Sequence, residues 1–160
     1  MARTGKMIEV AKRNGWVIRA QTEGLSHEQS LLQPPFRGNC MNWVLGHIAE
    51  NRDRILTALG QDGVLGEETG VPYRRGSEPV VNGEAAATLP QLLTLLNEQE
   101  ERLADGLAEA SAEQIEEVVD PERGFTVGGR IEFLLWHETY HLGQLEYLRQ
   151  LAGTDDAIIE

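Results

Sequence analysis

The chain has 160 residues, 41% of them hydrophobic and 25% charged, and a formal net charge of −12 at pH 7. These proportions are ordinary for a soluble globular protein with one sizeable core, so a single domain over residues 1–160 is expected. The negative charge argues against nucleic-acid binding through a basic face, the lone Cys40 excludes an intramolecular disulfide framework, and no apolar run approaches a membrane span. The stretch MARTGKMIEVAKRNGW lacks the apolar core of a signal peptide, and a cytoplasmic protein in reducing surroundings is the expectation.

Helical periodicity dominates, and no segment has the pattern of a strand. A first helix is expected from about Thr4 to Glu23, with Met7, Val10, Ala11, Val17 and Ile18 on one side and Gly24 as its stop. LSHEQSLLQPP then makes a single capped turn, with Ser26 and Gln29 at capping-box spacing and the prolines as its end. The second helix is expected from about Asn39, as N-cap, to Leu59, with Gly60 closing it. Residues 60–87 are rich in Gly and polar residues without a sustained period, and a connection this long is functional or partly mobile.

Thr88 caps a third helix, with Pro90 in its first turn, Gln91 at capping-box position, and a stripe of Leu89, Leu92, Leu93, Leu96, Leu103 and Leu107. SAEQIEEVVDPE repeats the short capped turn, Ser111 and Gln114 standing where Ser26 and Gln29 stood. The fourth helix is expected from about Thr126 to Ala152. The fold class is therefore all-α. Its expected form is an up-down four-helix bundle with a long connection between helices 2 and 3 and short capped turns before helices 2 and 4.

The fourth helix contains HETYH, residues 137–141. On a wheel of about 100° per residue, His137 and His141 lie about 40° apart, with Leu148 on their bisector and Phe133, Leu134, Leu145 and Leu151 to either side. This places the pair at the centre of the expected buried stripe. Buried imidazoles need partners for their ring nitrogens, and spacing of i, i+4 lets two of them share one metal ion. On the second helix His47 falls in line with Cys40, Trp43, Val44 and Ala58, and Asn51, Arg54 and Glu50 extend that face as a cavity wall. Three imidazoles with one open position are the donor set of a catalytic rather than a structural metal site. Cys40 is expected simply to pack, and His27 to lie at the surface.

HETYH is also the zinc-protease spelling, in which the Glu is general base and a third ligand follows the helix. Only nineteen residues follow His141, and their acids are Glu146 on the back of the helix and Asp155, Asp156 and Glu160 in a tail. Gln144 and Tyr147 stand where the extended pattern needs Gly and His. A peptidase is not expected.

Two segments, NWVLGHIAENRDRIL (42–56) and LLWHETYHLGQLEYLRQLAG (134–153), resemble the DinB-like superfamily of four-helix bundles. Trp43, Gly46, His47 and Ile48 match its aromatic-x-x-G-H-aliphatic segment. His137, His141, Gly143 and Gln144 match its H-x-x-x-H-x-G-Q segment. The resemblance implies that His47, His137 and His141 bind a divalent metal, usually zinc or nickel. It also implies a possible low-molecular-weight thiol co-substrate, since some relatives transfer bacillithiol, mycothiol or glutathione to electrophiles or isomerise maleylpyruvate with such a thiol. Relatives often pair as homodimers. On this basis the expected function is thiol transfer to a small-molecule substrate, with a small-molecule metallohydrolase or a non-catalytic metal- or ligand-binding bundle as alternatives. Asn51 and Arg54, with Arg74 and Arg75 of the long connection, are the expected holders of carboxylates. Glu50, Glu138 and Gln144 are the expected partners for histidine N–H groups.

Overall fold

The structure is a computed structural model that describes residues 3–81, 86–154, 156 and 158. It is all-α apart from one small hairpin. The elements in chain order are α1 (Arg3–Thr22), α2 (His27–Ser30), α3 (Met41–Ala58), α4 (Glu67–Gly70), a 3-10 turn (Val71–Tyr73), α5 (Leu89–Glu109), α6 (Ala112–Glu116), β1 (Val118–Asp120), β2 (Phe125–Thr126) and α7 (Val127–Leu151). No helix among the described residues is long and apolar enough to cross a membrane. Of the tail acids named above, Asp155 and Glu160 lie outside the described residues, as does part of the long connection, residues 82–85.

Side-chain chemistry sets the element ends. The Ser26 and Thr88 side chains accept from the N3 backbone N–H while Gln29 and Gln91 reach back to the cap residue, and Ser111 accepts from Gln114 N. The two short turns share a second role. Gln29 donates its amide to Ala152 O at the end of α7, and Gln114 donates to Leu59 O at the end of α3, so each also caps a long helix at its C-terminus. Two boundaries differ from expectation. Cys40, not Asn39, is the N-cap of α3, without a side-chain bond. Residues 118–126 form an antiparallel hairpin instead of a loop, because Asp120 accepts from Arg123 N and Gly124 takes φ +69° to close the turn.

Each of α1 and α3 packs against both α5 and α7. The apolar interior is split in two. One cluster takes Val17 and Ile18 of α1, residues 40–49 of α3, Leu89 to Leu96 of α5 and Leu142 to Leu148 of α7. The other takes Met7 and Ala11, Ile55 to Leu59, Leu103 and Leu107, and Val127 to Leu135. The first cluster therefore receives the C-terminal halves of α1 and α7 and the N-terminal halves of α3 and α5. Helices α3 and α5 run in the same direction, so the expected up-down alternation does not hold. The long connection is the reason: α3 is about 27 Å long at 1.5 Å per residue, and residues 60–87 are ample to bring the chain back along it.

Between the clusters lies a polar layer with one buried residue from each long helix: Asn14, Arg52, Gln99 and Glu138. Arg52 Nε and Nη2 donate to the two Glu138 oxygens at 3.1 and 2.7 Å, and Nη1 donates to Leu96 O at 2.8 Å. Gln99 donates to Ala49 O, and Asn14 to Leu135 O. The Arg52 and Glu138 side chains are each 1% exposed, so removing one leaves an uncompensated buried charge. Glu138→Ala is expected to destabilise the fold by about 3–5 kcal/mol in urea unfolding. The apolar pair R52M/E138L should recover most of that loss; a double variant as unstable as the single would contradict the account.

Candidate metal centre

Around His47 the sequence Trp43-x-x-Gly46-His47 has a packing explanation. A Cβ on Gly46 would lie 2.2 Å from the Tyr73 ring, so only glycine lets that ring lie against α3. Tyr73 is fully buried; its hydroxyl donates to Asn42 Oδ1 and accepts from Ala87 N, tying the middle and the C-terminal end of the long connection to α3. Its carbonyl accepts a 2.8 Å bond from His47 Nδ1. A carbonyl only accepts, so Nδ1 carries the proton and the Nε2 lone pair is left for another partner. Trp43 stacks on the His47 ring at 4.8 Å and donates to Ser77 Oγ.

On α7 the same logic fixes His141. Its Nδ1 donates to Gln144 Oε1 at 2.7 Å, and its Nε2 lies 3.3 Å from His137 Nε2. One potential ligand atom from each of His47, His137 and His141 lies within 4.8 Å of the others, so the three residues could hold a metal ion. The donor set fits. Two nitrogens each about 2.1 Å from a tetrahedral ion sit about 3.4 Å apart, which is the His137–His141 spacing. Asn51 is the competitor: its Nδ2 donates to His47 O at 2.9 Å and lies 3.1 Å from His47 Nε2, on the lone pair a metal would use.

All three histidines line one cleft of about 700 Å³ with Trp43, Asn51 and Phe133. Burial lowers the pKa of His47 and His141, and lowers His137 to about 4 with help from His141, His47, Arg54 and Arg75. The imidazoles are therefore neutral near pH 7, the form that ligates.

The other expected site residues divide. Asn51 and Gln144 bond to the histidines as described. Arg54 lines the cleft but is shared with Glu50, which receives both Arg54 Nε and Nη2 and reaches no histidine. Glu138 also reaches no histidine, since Arg52 takes both its oxygens; this leaves it no place as a base. Arg75 lines the cleft, whereas exposed Arg74 faces Glu67 at 3.7 Å. His27 lies apart, its Nδ1 accepting from Leu89 N, and Cys40 is packed.

The histidine pair sits at the margin of the buried face of α7, not at its centre. That face is centred on Ile131, Glu138, Leu142 and Arg149, while Phe133 is 48% exposed and Leu151 38%. Glu138 and Arg149 are charged yet lie on this face, each beside an ion-pair partner, Arg52 and Asp156. Sequence patterning also missed the Tyr73 carbonyl and Arg37. The carbonyl carries no residue-type signal, and Arg37 sits in an aperiodic segment; Tyr73, as an aromatic in a polar connection, was the available clue.

The family model described as the DinB superfamily matches residues 17–145. No curated protein matches the chain. A crystal structure of a conserved protein from Enterococcus faecalis superposes with a TM-score of 0.77 at 19% identity, covering 96% of this chain and 99% of that one; the likeness is one of fold.

Because the folded chain holds His47, His137 and His141 below the ordinary 6.5, the unfolded chain binds more protons between that value and about 4. Metal-free protein should be fully stable above about pH 6.5 and lose stability as pH falls toward about 4. Thermal scans of chelator-treated protein should show Tm falling more steeply with acid than in His137→Phe. Parallel Tm curves would contradict this.

Proposed function

The chain belongs to the DinB superfamily, and we propose that it is a metal-dependent transferase that joins a low-molecular-weight thiol to a small electrophile. In this reading one domain, a four-helix bundle, holds zinc or nickel through His47, His137 and His141. The observation that carries it is the convergence of three neutral imidazoles from α3 and α7 at the wall of an open cleft.

When bound, the divalent metal supplies an open coordination position that acidifies a thiol. The protein's own groups do the rest. Tyr73 O and Gln144 Oε1 take the Nδ1 protons of His47 and His141, which aims the Nε2 lone pairs inward. Trp43 walls one side and keeps water off the His47 ring. Arg54 and Arg75 orient carboxylates of the thiol or the electrophile, and Asn51 offers an amide beside them. Among the described residues that line the cleft none is a carboxylate, which favours thiol chemistry over hydrolysis of peptides.

Metal analysis after reloading should give about one divalent ion per chain in the wild type and far less in His47→Ala, His137→Ala and His141→Ala. The visible spectrum of cobalt-substituted protein should then change on adding bacillithiol, mycothiol or glutathione. A cobalt-loaded protein silent to all three would overturn the transferase reading.

A further inference from the structure

The histidine cleft adjoins a second hollow. Residues 37–39, on the segment between α2 and α3, line the cleft and also a space of about 380 Å³ formed mainly by Pro34, Phe36, Tyr147, Leu148 and Leu151. Phe36 is 68% exposed and Tyr147 71%, so aromatic surface faces this hollow without a described residue covering it. Its volume is that of a small-molecule site.

Charge selects the other end of the occupant. Arg37, Arg54 and Arg75 reach the cleft from three separate segments, and none of its described lining residues is acidic. Among the described residues neither Arg37 nor Arg75 has an ion-pair partner. In a chain of net charge −12 this is a local inversion of sign, and it draws anions into a concave site.

We infer that the substrate is an amphipathic organic anion, its carboxylate held by Arg37 and Arg75 and its aryl or alkyl part seated in the hollow beside Tyr147 and Leu151. This rests on the histidine cleft being the reaction site and adds which electrophile it takes. Arg37, on the wall common to both spaces, reads the junction between the charged and apolar parts of the molecule.

The probe is 4-phenylbutyrate, titrated calorimetrically into metal-free and zinc-loaded full-length protein, with 4-phenylbutanol and butyrate as controls. The expected result is saturable binding of phenylbutyrate to both forms, with each control weaker by at least roughly tenfold. Arg37→Ala should weaken phenylbutyrate roughly tenfold and leave phenylbutanol unchanged, whereas Leu151→Gln should weaken phenylbutyrate and leave butyrate unchanged. The inference is overturned if the alcohol binds as well as the acid, if either variant binds phenylbutyrate like the wild type, or if no heat appears up to about 10 mM. It is also overturned if sedimentation shows a second copy of the chain covering the hollow. Metal content of the same samples separates the two ideas: protein that holds zinc but ignores phenylbutyrate sinks only the ligand, and the converse sinks only the metal.

Discussion

The buried pair between Arg52 and Glu138 is the constraint on which the other features depend. It joins α3 to α7, and the third guanidinium nitrogen reaches Leu96 O on α5, so one side chain fixes three of the four long helices against one another. Each ion gives up several kcal/mol of hydration on burial, and only complete hydrogen bonding makes that tolerable. The geometry therefore has little freedom: a shift of α3 along α7 would leave a bare charge in the interior. Arg52 lies five residues beyond His47, and Glu138 sits between the two histidines of α7. The pair that locks the helices also sets the height at which the imidazoles face each other.

Neutral imidazoles beside guanidinium groups, on a strongly acidic protein, make an unusual electrostatic setting. Burial and the nearby cations both disfavour protonated histidine, and the fixed Nδ1 bonds leave basic nitrogens pointing inward. Neutral imidazoles are the form that a divalent ion would need, and they hold protons poorly. The cleft lining also carries three arginines and, among its described residues, no acid.

Much of this was legible in the sequence. The four long helices were evident from their period, with Thr88, Gly24 and Gly60 marking ends of them and Ser26 and Ser111 the short turns between, because capping is local chemistry. The three histidines stood out because imidazoles at i, i+4 among leucines need a reason to be there. The direction of the helices was not legible, since a long aperiodic connection permits either an alternating or a parallel return. Glu138 was expected beside a histidine N–H, but its oxygens go to Arg52, which is 86 positions away and carries no pairing signal in the sequence. Tyr73 contributes a main-chain oxygen, and any residue type has one of those.

The return of the chain along α3 through residues 60–87 has an evolutionary consequence. The segment is stapled by Asp53 to the amides of Val64 and Leu65, and by the Tyr73 hydroxyl to Asn42 and Ala87. Beyond Tyr73, residues 74–79 project over the cleft from an already secured stem. Drift in that short stretch can retune selectivity while the helical frame and its nitrogen donors stay as they are. On the proposed function, recognition and chemistry would thus rest on separable parts of one small chain.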